Sequence, residues 1–272
     1  MAPKIVHLVR HAQGFHNLSY ANHSMPDPLL TEYGQQQCRE LSEAFPNPSA
    51  LDLIVASPLK RTMYTALLSF PSVIAKKQLK VVALPEIQET SDLPCDTGSA
   101  PSELSREFGG KPVDLHLVHE GWNSKKGKWA SYDDAIDARA RQARQWLMSR
   151  NEEEIAVVTH GGYLHFFTQD WADHSKFVGT SRTSGYLAER TLIRSVGTGW
   201  ANTEFRSYTF DSNSGDDAKL VETKESRSRR LGDEKPLDAE EQTNLRRVML
   251  QTSLEKGFLK GTTGGQEVEA KI

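Results

Sequence analysis

Three short apolar runs, at residues 5–9, 53–56 and 155–159, constrain this chain more than any other feature. Each is rich in Val, Ile, Leu and Ala without strict polar alternation, the pattern of a strand buried on both faces. Helix-like sequence follows the second and third runs, with Pro58 near a helix start, where a missing N–H is harmless. Residues 135–150 form a charged amphipathic helix ahead of the third run. Strands alternating with helices imply a mostly parallel central sheet covered on both sides, a three-layer α/β/α sandwich.

In such sheets the ligand crevice lies beyond the carboxyl ends of the strands. What leaves those ends here is chemically pointed. The first run ends in Arg10-His11-Ala12, the second leads into Ser57-Pro58-Leu59-Lys60-Arg61-Thr62, and the third ends in His160-Gly161-Gly162. Guanidinium forks bind oxyanions, and imidazoles serve as base, ligand or nucleophile. Alone, His11 reads as a structural strand-end histidine and Arg61 as a surface helix arginine. Brought together with Arg10 and His160, they describe an oxyanion site, with phosphate the favoured anion.

The motifs around these residues are similar to those of a known family. Leu8-Val9-Arg10-His11-Ala12-Gln13-Gly14-x-x-Asn17 resembles the signature of the histidine phosphatase superfamily, which includes the cofactor-dependent phosphoglycerate mutases. Asp27-Pro28-Leu29-Leu30-Thr31-Glu32-x-Gly34, Ser57-Pro58-Leu59-x-Arg61-Thr62-x-x-Thr65-Ala66 and Thr159-His160-Gly161-Gly162 resemble its further motifs, in the family's order. A Trp-x-Asn-x-Glu-x-Arg-x-Tyr pattern within residues 200–210, read as a strand, resembles the closing strand of the phosphoglycerate-mutase-like branch of fungi and plants. Ala12 departs from the glycine most members carry.

The resemblance implies that His11 is the nucleophile and carries the phosphoryl group as phosphohistidine. It implies that Arg10, Arg61 and His160 surround the phosphoryl oxygens and that Asn17 adds a neutral donor. His160 would also act in catalysis, and no cofactor or metal is implied. A leaving alkoxide needs a proton, so a carboxylic acid must stand beside the pocket. Glu89 fits the family's pattern better, and Glu86 is the alternative acid. The function implied is metal-independent hydrolysis of a small-molecule phosphomonoester, as in histidine acid-type phosphatases. A phosphomutase of the phosphoglycerate mutase type and a catalytically silent phospholigand- or protein-binding member are the alternatives.

Composition narrows the rest. A net charge of −3 over 272 residues does not suit general nucleic-acid binding. Cys38 and Cys95 lack CxxC spacing, so a disulfide framework is not expected and a reducing, cytoplasmic setting is. No stretch is long enough to span a bilayer. The expected partner is a small phosphorylated substrate, with no nucleic acid and no membrane, and a second copy of the chain is left open. His23, His116 and His119 read as exposed loop histidines rather than metal ligands, and His165 as a packed one. The sequence predicts one phosphatase domain over residues 1–215 and a charged extension over 216–272. Within the extension, residues 224–235 are too charged to order, 237–258 can form a short helix, and 261–272 form a loose tail.

Overall fold

A computed structural model describes residues 4–172, 199–231 and 236–261. Its center is a seven-stranded sheet of order β4-β3-β2-β5-β1-β6-β7. The strands are β1 (Ile5–Arg10), β2 (Leu53–Ala56), β3 (Val81–Ala83), β4 (Val113–Asp114), β5 (Glu154–Thr159), β6 (Phe205–Phe210) and β7 (Leu220–Glu222). The first five are parallel, and β6 and β7 close one side antiparallel. The three apolar runs thus form the middle of the sheet, side by side as β2, β5 and β1.

Alternation along these strands divides the core. Val6, Leu8, Val55 and Val157 face one layer with Ile136, Ala140 and Leu147 of α5 (Asp133–Met148) and Leu164 of α6 (Gly161–Thr168). Val9, Ile54, Ala56 and Val158 face the other, with Leu41 of α1 (Glu32–Ala44), Met63 of α2 (Lys60–Ser69), Val73 of α3 (Pro71–Lys77) and Leu104 of α4 (Pro101–Phe108). Both faces are covered, giving the three-layer α/β/α arrangement. No helix among the described residues is long and apolar enough to cross a membrane.

Register positions the site. Arg10 lies opposite Thr159, and Ala56 opposite Val158. The carboxyl ends of three adjacent strands are therefore level, and His11, Ser57 and His160 leave the sheet next to one another.

Past residue 215 the structure departs from expectation. The sheet does not end there, because β7 pairs with β6 along its outer edge. Residues expected to stay unordered contain a helix, α7 (Lys224–Leu231). Its charges and hydroxyls find partners: the Ser226 hydroxyl accepts the Ser207 N–H and donates to Glu222, and Arg230 pairs with Glu222 at 2.8 Å. Composition undercounted these local partners; residues 232–235 lie outside the described residues. The expected short helix exists as α8 (Ala239–Glu255), capped by Asp238, whose carboxylate accepts the Glu240 and Glu241 N–H groups. It buries Met249 in the α5–α6 layer, and Arg246 pairs with Asp137 of α5. Leu259 is buried in the same layer, while residues 262–272 of the expected tail lie outside the described residues. The strand read over 200–210 is shorter, since residues 200–204 turn, with the Glu204 N–H bonded to the Ala201 carbonyl.

A chain ended after residue 215 would uncover the β6 edge and the apolar patch under Met249. Its expected behaviour is loss of a cooperative thermal transition. In the full chain, Met249→Ala should lower unfolding free energy in urea by about 2–5 kcal/mol, the usual cost of emptying a buried methionine site.

Candidate active site

Arg61, on the first turn of α2, is fully buried at the level of the strand ends. Its Nε–H donates to His11 Nε2 at 3.3 Å, and its Nη1 to the Cys95 carbonyl. Its Nη2 donates to Asp96 Oδ1 at 2.8 Å and to His160 Nδ1 at 3.1 Å. One guanidinium therefore ties together the segments that follow β1, β3 and β5.

His11 is oriented from both sides. Its Nδ1 lies 2.7 Å from the Ala12 carbonyl, which can only accept, so Nδ1 carries the proton and Nε2 the lone pair. The His11 carbonyl accepts from Asn202 Nδ2 at 2.9 Å. Burial, then the charges of Arg61 and Arg10, hold the His11 imidazole well below its ordinary pKa of 6.5. Ala12 is buried beside Leu30 and Cys38, and its N–H donates to the Thr65 hydroxyl, so the extra methyl is absorbed by packing.

The His160 ring lies 5.2 Å from that of His11. Because His160 Nδ1 accepts from Arg61, its Nε2 carries the proton and donates to Ser57 Oγ at 2.9 Å. Burial, then Arg61, keep this imidazole neutral as well. Arg10 is buried and its Nη1 donates to the Trp200 carbonyl. Burial pushes its pKa down to about 10, opposed by Glu89 and Glu204.

Of the two candidate acids, only Glu89 reaches this group. Its carboxylate accepts backbone N–H groups from Thr90 at 2.9 Å, Gly162 at 3.2 Å and Tyr163 at 2.8 Å, against the first turn of α6. Burial and the neighbouring Asp96 raise its pKa in spite of these donors. Gly162 is required for this approach, since a Cβ there would stand 2.8 Å from Glu89 Oε1. Glu86 instead pairs with the exposed Lys128 at 3.0 Å. Asn17, on the 3-10 turn Phe15–Leu18, accepts the Gly14 N–H at 3.0 Å through Oδ1, which orients its amide.

Several neighbours escaped the sequence reading. The buried His16 ring lies 5.3 Å from His11, and burial followed by Arg61 and the other nearby cations holds its pKa well below 6.5. It occupies an unassigned position of the Gly14-x-x-Asn17 motif. Asp96 has no periodic or spacing signal either, and Ser57 belongs to the second arginine motif without a role of its own there. Lys125, in a left-handed backbone position (φ 53°), donates to the Glu89 carbonyl at 3.2 Å. Burial pushes its ammonium down to about pKa 7, against the pull of Asp96.

The remaining motifs act as scaffolding. Asp27 accepts the Lys60 N–H at 3.0 Å and the Ser99 hydroxyl at 2.8 Å. Thr31 caps α1 through the Gly34 N–H, and a Cβ on Gly34 would lie 2.1 Å from the Gln13 carbonyl. In the Trp-x-Asn-x-Glu-x-Arg segment, the Arg206 guanidinium stacks 3.7 Å over the Trp200 ring and donates to Glu204 at 2.7 Å. That segment fixes the Trp200 carbonyl for Arg10. His116 is exposed and His165 is buried against Trp171, as expected, but His23 is half-buried among other rings.

The model of the histidine phosphatase superfamily, branch 1, matches residues 6–205, and the chain belongs to that superfamily. Among curated relatives, a protein named probable phosphatase from Schizosaccharomyces pombe is 30% identical over 173 residues, covering 60% of this chain and 77% of the relative. Phosphoglycerate mutase-like protein 1 of Arabidopsis thaliana is 31% identical over 199 residues, covering 59% of this chain and 69% of the relative. Among solved structures, an ecdysone phosphate phosphatase from Bombix mori in complex with tungstate shares the fold, with a TM-score of 0.50 and 16% identity over 80% of this chain and 92% of that one.

Nitrogen-15 NMR tests the electrostatics. At about pH 5.5, where an unperturbed histidine is mostly charged, His11 should show the neutral Nδ1–H tautomer and His160 the neutral Nε2–H tautomer. Imidazolium signals from either would contradict the geometry.

Proposed function

We propose that this protein is a phosphatase of small phosphomonoesters, working without a metal through a phosphohistidine formed on Nε2 of His11. The observation that carries the proposal is the state of that atom. With Nδ1–H bonded to Ala12, Nε2 bears its lone pair beside the buried cations Arg61 and Arg10. A neutral nucleophile among fixed positive charges suits attack on a dianionic phosphoryl group.

In the first step Nε2 bonds to phosphorus as the ester P–O bond breaks. The Arg61 Nε–H, which Nε2 accepts in the resting state, is then released to a phosphoryl oxygen. Arg10, Arg61, the His160 Nε2–H and the Asn17 amide meet the phosphoryl oxygens. Glu89 gives its proton to the leaving alkoxide, a role supported by its raised pKa and its position beside Gly162. In the second step Glu89 takes a proton from water, which attacks phosphorus and frees His11. Since arginines supply the positive charge, hydrolysis should persist in chelator. We assign this activity to a single domain whose core continues through β7 and α8.

His11→Ala should abolish turnover and the acid-labile, base-stable label left by a ³²P substrate. Full activity in that variant would sink the proposal. Glu89→Gln should slow an alkyl phosphate about 10²-fold or more and affect para-nitrophenyl phosphate much less, because phenolate leaves without a proton. Equal losses would remove Glu89 from the acid role. For wild type, alkyl phosphate turnover should fall as pH rises through the raised Glu89 pKa, since the acid must be protonated. Gly162→Ala should mimic the alkyl-selective defect while leaving the thermal transition near wild type, by pushing the carboxylate off its amides.

A further inference from the structure

Beyond the phosphoryl pocket, the stretch following the nucleophile has an unusual surface. Residues 13–31 contain no Lys, Arg or Glu, in a chain that is 25% charged. Their one acidic residue, Asp27, is buried and accepts from Lys60 and Ser99. Its exposed side chains are uncharged and mostly apolar: Tyr20 is 62% exposed and Leu18 56%, with Phe15, Met25 and Leu29 also open to solvent beside Ser19 and Ser24.

This surface is continuous with the reaction center. His16, on the same 3-10 turn as Phe15 and Leu18, has its ring 5.3 Å from His11. From His16 the rings run outward to His23 at 6.4 Å, and from His23 to Tyr20 at 5.0 Å and Phe258 at 5.9 Å. Phe258 arrives from beyond α8 and also faces Tyr20 at 6.4 Å. Burial, then Arg61, keep His16 uncharged, so the inner part of this path holds a neutral ring rather than a cation. The nearby ammonium of Lys125 is directed to the Glu89 carbonyl and the field of Asp96 instead.

We infer that the alcohol portion of the substrate is apolar, a ring- or hydrocarbon-bearing group that lies along His16, His23, Tyr20 and Phe258. The inference rests on the phosphatase reading above and adds the class of leaving group. A sugar or hydroxy acid would meet the unpartnered Nδ1 of His16 and of His23 along these rings, and its remaining hydroxyl or carboxyl groups would go without partners. An aryl or alkyl group would remove that wall from water and stack against it.

Three esters of primary aliphatic alcohols separate the possibilities: 3-phenylpropyl phosphate, glycerol 3-phosphate and 3-phosphoglycerate. The expected result with the full chain is a kcat/KM at least about tenfold higher for the phenylpropyl ester than for the other two. Tyr20→Ser and Phe258→Ser should each raise its KM about fivefold, leaving kcat and the glycerol 3-phosphate kinetics unchanged. Equal kcat/KM across the three esters, or unaltered KM in both variants, would overturn the inference while phosphatase activity stands. If no ester is turned over and no phosphohistidine forms, the phosphatase reading falls, and this inference with it.

Discussion

The Arg61 guanidinium, fully buried and bonded at once to His11, His160, Asp96 and the Cys95 carbonyl, is the interaction on which the rest of the site depends. A buried cation is tolerated only when its donors are satisfied and its charge is partly balanced. Asp96 supplies the balance, and Ser91 in turn holds the second Asp96 oxygen. The two histidines accept from Arg61 without neutralising it. They cannot readily take a proton next to it, which leaves His11 with an Nε2 lone pair held by the Arg61 Nε–H and His160 with an Nε2–H held by Ser57. The protonation pattern of the pocket thus follows from burial first and then from one side chain on the first turn of a helix.

That arrangement requires three strand ends at one level and a rigid backing. Parallel pairing of β1, β5 and β2 provides the first. Backing comes from the segment before β6, where Asn202 holds the His11 carbonyl, Trp200 accepts from Arg10, and Arg206 is clamped between Trp200 and Glu204. Since β6 is itself covered by β7 and α7, residues past 219 support the segment that carries His11.

Much of the frame was legible in the sequence because the signals were local. Short β-branched runs, a proline near a helix start and motif spacing located the strands and the level at which Arg10, His11, Arg61 and His160 leave them. What stayed illegible depends on contacts between distant segments. His16 gains its place only when the turn after β1 folds over His11, and Asp96 only when its loop meets Arg61. Lys125 looks like an ordinary surface lysine until a left-handed turn carries its ammonium to Glu89. The charge-dense stretch after residue 223 was misjudged for the same reason: Glu222 and Ser207 satisfy it, and both lie on strands whose pairing composition does not reveal.

The closeness of Phe258 to Tyr20 and His23 makes residues 4 and 261 unequal places for anyone attaching a probe. β1 enters the sheet at Ile5 and delivers His11 only after running its full length, about 20 Å at some 3.3 Å per residue. A fluorophore or affinity handle ahead of β1 would sit on the opposite rim from the chemistry. One attached at residue 261 would stand three positions from Phe258, within reach of the Tyr20 and His23 rings.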